Sequence, residues 1–246
     1  MPHSSVSHPS QIDEKQRIAA AIDHTLLKPE ATAQDIEEVC REALQNGFAS
    51  VCVNPCWAPQ VAKRLAGSQV KVCTVIGFPL GANQTQTKLA EASLALSQGA
   101  RELDMVQNVG ALRSGDYAMV EQEVEKLAEM AHRHGAILKV ILETSLLTTE
   151  QIVKACQIAV EAKADFVKTS TGFSSAGATA EDIQLMRQTV GQALGVKASG
   201  GIRTLAAVRQ MLAAGANRIG ASAGVQILNE LNEPATTSNP SPAGNY

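Results

Sequence analysis

Eight short β-type runs, mostly separated by helical patterns, limit this sequence to a small set of folds. They read AIDHTLL (21–27), ASVCVN (49–54), VKVCTVIGF (70–78), ARELDMVQN (100–108), ILKVILET (137–144), ADFVKTS (164–170), GVKASGG (195–201) and ANRIGAS (216–222). The amphipathic stretches between them carry start and stop signals. In TAQDIEEVCREALQNG, Thr32 is placed to cap a helix, Ile36, Val39, Cys40, Ala43 and Leu44 recur at helical spacing, and Gly47 ends it. The same plan starts at Thr148 or Thr149, at Thr179 and at Thr204. Strands that alternate with helices pair in parallel through right-handed crossovers. Eight such units, from residue 20 to about 230, are the number that closes an α/β (β/α)8 TIM barrel of one domain. The competitor is an open doubly wound sheet, which carries a G-x-G-x-x-G turn after its first strand. Here the first strand runs into DHTLLKPEAT, which favours the barrel.

The domain limits follow from the flanks. Residues 1–12 read as a disordered N-terminal segment, 13–231 as the barrel, and 232–246 as a flexible tail. That tail, NEPATTSNPSPAGNY, is too rich in Pro, Ser, Thr and Asn to bury the surface that would order it. A net charge of −3 with four Phe, two Tyr and one Trp gives no footprint for nucleic acid. No apolar run approaches the roughly 18 residues of a membrane span. The start, MPHSSVSHPS, lacks the basic and apolar regions of a signal peptide, so a cytoplasmic location is expected. Five cysteines, an odd number in apolar context, argue against a disulfide framework. Cys52 and Cys56 lack a second ligand pair, and His132 and His134 face different directions on a charged helix, so no metal site is expected.

In a barrel of this type, chemistry sits at the C-terminal strand ends, where polar side chains point into the mouth. Asp104 in ELDMV, Lys168 in FVKTS and Lys197 in GVKAS occupy such ends. KVILET adds Lys139 and Glu143, which share a face by period-two alternation. Lys168 and Lys197 belong to consecutive strands, whose backbones run about 4.8 Å apart. Two unit charges about 5 Å apart at an effective dielectric of 20 repel by roughly 3 kcal/mol. That repulsion, with partial desolvation, favours a neutral amine on Lys168, the state a Schiff-base nucleophile requires. Asp104 works against it unless held closer to Lys197, or to a water, than to Lys168. A lone strand-end lysine would read as a snorkelling cation. Two on successive strands beside an aspartate point to chemistry.

TSTG (169–172), SGGIR (199–203) and GASAG (220–224) supply backbone N–H groups and glycines that admit an anion. The loops after strands 7 and 8, with a short helix start, form the usual barrel phosphate site. Gly200, Gly201, Gly220 and Ser222 are expected to contact phosphate, with Arg203 a further candidate and Thr169 and Gly172 as substrate contacts from TSTG.

With these residues in view, the chain resembles the deoxyribose-phosphate aldolase family. DHTLLKPEAT, VCVNP, VIGFPLG, ELDMVQNVG, KVILET, VKTSTGF, VKASGGIRT and RIGAS carry the resemblance, in order, over nearly the whole barrel. It implies a Schiff-base lysine at Lys168, and acid–base roles for Asp104 and for Lys197, which also tunes the nucleophile. It implies substrate contacts at Asp23, Thr25, Cys52 and Lys139. The reaction implied is the reversible cleavage of 2-deoxy-D-ribose 5-phosphate to D-glyceraldehyde 3-phosphate and acetaldehyde, without cofactor or metal, by a homodimer or homotetramer. One departure stands out. Some members place a phosphate-contacting lysine after TSTG, but here that position is Phe173, so the charge facing phosphate comes from elsewhere or from backbone dipoles.

Two rivals remain at this level. Another lysine-dependent sugar-phosphate aldolase would be expected to change the partners Lys197 and Asp104. A non-catalytic phosphosugar-binding barrel would keep the glycine turns without turnover. An exposed C-terminal tyrosine is usually inert; the sharper reading of Tyr246 folds the tail over the mouth and adds its phenol to a proton relay.

Overall fold

The computed structural model describes residues 9–232. Eight strands close a barrel in sequence order, each parallel to both neighbours: β1 (Ile22–Leu26), β2 (Ser50–Val53), β3 (Lys71–Ile76), β4 (Glu102–Val106), β5 (Ile137–Ile141), β6 (Phe166–Lys168), β7 (Gly195–Ser199) and β8 (Arg218–Ala221). Each falls inside one of the eight runs expected from the sequence. The helices are α1 (Pro9–Ala21), α2 (Ala33–Asn46), α3 (Ala58–Leu65), α4 (Thr85–Ser97), α5 (Val109–Arg113), α6 (Tyr117–Arg133), α7 (Thr149–Glu161), α8 (Ala180–Val190), α9 (Leu205–Ala213) and α10 (Gly224–Asn229). Among the described residues, no helix is long and apolar enough to cross a membrane.

Local chemistry sets the helix ends. Thr32 and Thr148 each close a reciprocal capping box, with Asp35 and Gln151, and Thr179 and Thr204 accept from the backbone of Asp182 and Ala207. Such caps satisfy N–H groups that a helix start leaves unpaired, for about 1 kcal/mol each. Gly47 ends α2 in the left-handed region at φ 67, which a side chain would resist. Ile36, Val39, Cys40 and Ala43 form the buried stripe of α2, whereas Leu44, 38% exposed, falls off it.

α1 departs from the expected domain limits. It starts at Pro9, so residues 9–12 are helical, and its last turns bury Ile18 and Ala19 beside α10. Those apolar contacts supply what the polar start of the segment lacks. The remainder of that segment, and the tail from 233 onward with Tyr246, lie outside the described residues.

Alternation along the strands divides the core. Val51, Val53, Leu103, Met105, Leu138, Val140, Val167, Val196 and Ile219 are buried in the main apolar cluster with the helices. Full burial of such a side chain contributes about 1.5–3 kcal/mol. The intervening residues point inward. Register places Asp104 beside Lys139, Lys168 beside Lys197, and Lys197 beside Arg218, so charged side chains from β4 to β8 meet inside the barrel.

Candidate active site

Most barrels stack branched apolar side chains in the interior. This one holds Lys139, Lys168, Lys197 and Arg218 with Asp23, Glu102 and Asp104, four basic groups against three acidic. Asp104 is the hub. Its Oδ2 accepts from Lys168 Nζ and from Lys197 Nζ, both at 2.7 Å, and its Oδ1 accepts from Lys139 Nζ at 2.8 Å. Lys197 also lies 2.5 Å from Asp23, and Lys139 lies 2.6 Å from Glu102. Arg218 closes the base of the network by pairing with both Asp23 and Glu102. Ser50 donates to Asp23 at 2.6 Å.

Burying charge costs several kcal/mol per ion unless each finds partners. Here the pairing decides the protonation states. Burial alone would raise the Asp104 carboxyl, but Lys139, Lys168 and Lys197 outweigh it and hold it well below the carboxylate range. Asp23 follows the same balance, lowered by Lys197, Lys139 and Arg218 against burial. Burial would also lower Lys197, yet Asp104 and Asp23 lift its ammonium above the usual lysine range. Lys139 is raised against burial by Asp104, Cys73, Asp23 and Glu102.

The two strand-end lysines therefore do face one another, but through a carboxylate. Asp104 Oδ2 stands equally far from both, so the condition that it lie closer to Lys197 is not met. What separates the amines is the number of carboxylates each touches. Among the described residues, Lys168 has one within 4 Å, Lys197 two and Lys139 three. Lys168 also retains 3% exposure, while Lys139 and Lys197 have none.

The other expected site residues divide. Cys52 is fully buried in the mouth, in a small apolar cluster with Leu27, Cys73, Val75 and Phe78. Thr25 pairs with Cys52 in register, and its hydroxyl donates to Asp23 O at 2.8 Å. Gly172, Gly201, Arg203 and Ser222 are exposed on the loops after β6, β7 and β8. Gly200, at φ 90, packs against Gly177, where an added Cβ would come within 2.1 Å of Gly200 O. Two of the expected residues also hold the barrel together. The Thr169 hydroxyl donates to Ser199 O and accepts from Ser199 N, both at 3.1 Å, so it joins β6 to β7. Gly220 is buried, and an added Cβ would lie 2.9 Å from Ser199 Cβ and 3.1 Å from Lys197 Cε; its lack of a side chain makes room for Lys197. Gly220→Ala is expected to cost about 1–3 kcal/mol by overpacking. It should also lower kcat by displacing the Lys197 side chain, as thermal unfolding and steady-state rates would show.

Cys52, Cys73 and Asp104 bring ligand atoms within 4.8 Å of one another. The set does not suit a metal. Three ammonium groups already occupy the Asp104 oxygens, and burial pushes the Cys73 thiol well up, keeping it protonated. Its Sγ donates to Asp104 Oδ1 at 3.3 Å instead.

Sequence reasoning passed over Glu102, Arg218 and Ser50. The signal was present, because each lies two residues before an inward position already singled out: Asp104, Gly220 and Cys52.

A buried lysine–carboxylate hub at the mouth of an eight-stranded barrel suits covalent carbonyl chemistry, and comparison with known proteins agrees. The family model described as DeoC/LacD family aldolase matches residues 17–230. The deoxyribose-phosphate aldolase of Thermoanaerobacter sp. (strain X514) is 58% identical over 217 residues, covering 88% of this chain and 97% of its own length. That of Listeria welshimeri is 57% identical over 211 residues, covering 86% and 94%. The tetrameric deoxyribose phosphate aldolase from Aeropyrum pernix superposes with a TM-score of 0.82 at 34% identity, covering 92% of this chain and 99% of that one. With a match spanning the whole barrel and relatives this similar, the chain belongs to the DeoC/LacD family of aldolases.

Proposed function

We propose that the chain reversibly cleaves 2-deoxy-D-ribose 5-phosphate to D-glyceraldehyde 3-phosphate and acetaldehyde through a Schiff base on Lys168. One observation carries the assignment of the nucleophile. Lys168 is the outermost of three amines around Asp104 and touches the fewest carboxylates. With four basic groups against three acidic, the cluster can release one proton and become neutral. Of the three amines, Lys168 is the one left free to meet a carbonyl in the mouth, since Lys139 and Lys197 are each held by further carboxylates.

The neutral amine attacks the C1 aldehyde of the open-chain sugar to give a carbinolamine, which loses water to form an iminium. A proton leaves the C3 hydroxyl, the C2–C3 bond breaks, and its electron pair moves into the iminium to give an enamine. D-glyceraldehyde 3-phosphate departs. Protonation of the enamine at C2 and hydrolysis of the resulting iminium release acetaldehyde and restore Lys168. The iminium is the electron sink, so the chemistry asks nothing of a metal or cofactor. Asp104 handles the C3 proton, through a water, with Lys197 as the neighbouring donor. A carboxylate among three ammonium groups is a weak base. The iminium restores a positive charge beside Asp104, and as the C2–C3 electron pair neutralises it the carboxylate's basicity rises while the C3 proton is leaving. Acid–base help of this kind contributes about 10²–10⁴-fold.

Incubation with 2-deoxyribose 5-phosphate tests the reading: both cleavage products should appear in equal amounts. A phosphosugar-binding barrel would release neither, and a keto-acid aldolase would leave this sugar intact. The electrostatic part has its own check. Lys197→Leu leaves three basic groups against three acidic, so the surplus positive charge beside Lys168 is gone. Iminium formation with acetaldehyde at neutral pH, trapped by borohydride, is expected to slow by about 10–100-fold, the scale of a roughly 3 kcal/mol repulsion largely removed. Trapping at the wild-type rate would show that Lys197 does not tune the nucleophile.

Assembly as a homodimer or homotetramer belongs to the same reading, supported by the tetrameric relative from Aeropyrum pernix. Five free thiols fit the reducing conditions of the cytoplasm.

A further inference from the structure

Glu143 stands just beyond β5 with a left-handed backbone, φ 59 and ψ 61, a conformation uncommon outside glycine. Such positions persist where their surroundings over-determine them, and they gather at functional sites. The surroundings here are specific. The backbone ladder between β5 and β6 runs on through Leu142 N to Lys168 O at 2.9 Å and Thr144 N to Thr169 O at 3.0 Å. Beyond it the Glu143 side chain takes over. Its carboxylate, 4% exposed, accepts from Thr171 N at 3.3 and 3.4 Å and from the Thr171 hydroxyl at 2.5 Å. The Thr171 oxygen in turn accepts from Phe173 N at 3.0 Å. Gly172, exposed at φ 87, lies between the two residues so tied. One carboxylate thus fixes the conformation of the turn that starts three residues after Lys168. Neither Lys139 nor Asp104 touches that turn, so the mechanism above leaves Glu143 without a task.

We infer that Glu143 is a positioning residue that holds the Thr171–Phe173 turn in the shape that receives the phosphate end of the substrate. The inference rests on the proposed reaction and adds to it a source of preference for phosphorylated sugars. Phe173 offers no charge to a phosphate, and the Thr171 and Phe173 N–H groups are already taken up by Glu143 and the Thr171 hydroxyl. The Gly172 N–H is therefore the backbone donor of this turn that faces a phosphate, and it acts only if the turn is held still. Burial raises the Glu143 carboxyl, which Thr171 and Lys168 counter.

The test compares 2-deoxyribose 5-phosphate with unphosphorylated 2-deoxyribose, using Glu143→Gly, Glu143→Gln and Thr171→Val. Glycine suits the left-handed backbone, so Glu143→Gly removes the side chain without adding strain. It and Thr171→Val are each expected to lower kcat/KM for the phosphorylated sugar by about tenfold, the scale of a hydrogen bond to a charged group, mainly through KM. Cleavage of 2-deoxyribose, and borohydride trapping of acetaldehyde on Lys168, should change less than about threefold. Glu143→Gln, which keeps an accepting oxygen, should retain most of the preference. An unchanged preference in Glu143→Gly and Thr171→Val, or an equal fall on both sugars together with slower trapping, would overturn the inference. Absence of trapping in the unmodified protein would instead defeat the assignment of Lys168.

Discussion

Lys168→Ala is expected to abolish cleavage and, on incubation with acetaldehyde and borohydride, to show no two-carbon mass increment on the peptide carrying residue 168. The unmodified protein should gain that increment on this peptide and on no other. No neighbour can substitute. Lys197 and Lys139 are fully buried and held by two and three carboxylates, so neither presents a free amine to the mouth. Residual turnover should therefore fall by at least about 10⁴-fold, to whatever binding and the remaining acid–base groups supply. Stability separates this variant from a structural lesion. Removing one partner of a buried ion pair usually costs about 3–5 kcal/mol, because the other charge is stranded. Asp104 is not stranded here, since Lys139 and Lys197 remain on its two oxygens. The surplus positive charge disappears as well. Lys168→Ala should thus unfold within about 1 kcal/mol of the unmodified protein, and Lys168→Arg should be equally inactive with its cation retained. An adduct that survived in Lys168→Ala would move the nucleophile elsewhere.

How far the sequence announced this arrangement depended on range. Capping threonines act on residues three positions away, so Thr32, Thr148, Thr179 and Thr204 could be read directly. Strand ends are equally local, and they put Asp104, Lys168 and Lys197 at the mouth, where the register brings Lys168 beside Lys197 and Asp104 beside Lys139. Arg218 meets Asp23 and Glu102 across separations of 195 and 116 residues, and only closure of β8 onto β1 makes that encounter. A charge at a strand start looks like a solvated end until the barrel closes. Glu143 shows a different limit. Alternation put it on the face of Lys139, but a left-handed turn beyond Ile141 carries its carboxylate to Thr171 instead. The equal distances from Asp104 to Lys168 and Lys197 were likewise beyond register, because they depend on how two long side chains reach one oxygen.

Asp104→Asn is expected to produce the largest combined loss of activity and stability. The change leaves four basic groups with Asp23 and Glu102 in the network, and Lys168 loses the one carboxylate it touches among the described residues. Uncompensated buried charge of this kind costs about 3–5 kcal/mol. Loss of the proton acceptor should lower kcat by about 10²–10⁴-fold. Asparagine keeps the shape, so packing cannot account for the deficit, and pH can establish its electrostatic origin. The Asp104 carboxyl is lowered well below the normal range in the folded protein, whereas in the unfolded chain it titrates near 3.9. A depressed carboxyl contributes stability that is fully present above the unfolded value and is lost as pH falls toward the folded one. The gap in unfolding free energy between the two proteins should therefore be constant from about pH 5 to pH 8 and should narrow below about pH 4, by roughly 1.4 kcal/mol per pH unit. Urea unfolding at a series of pH values measures it, with both proteins in the same buffers. A gap that stayed constant down to about pH 2.5 would mean that the charge on Asp104 is not what stabilises the cluster. The activation of Lys168 by surplus positive charge around Asp104 would fail with it.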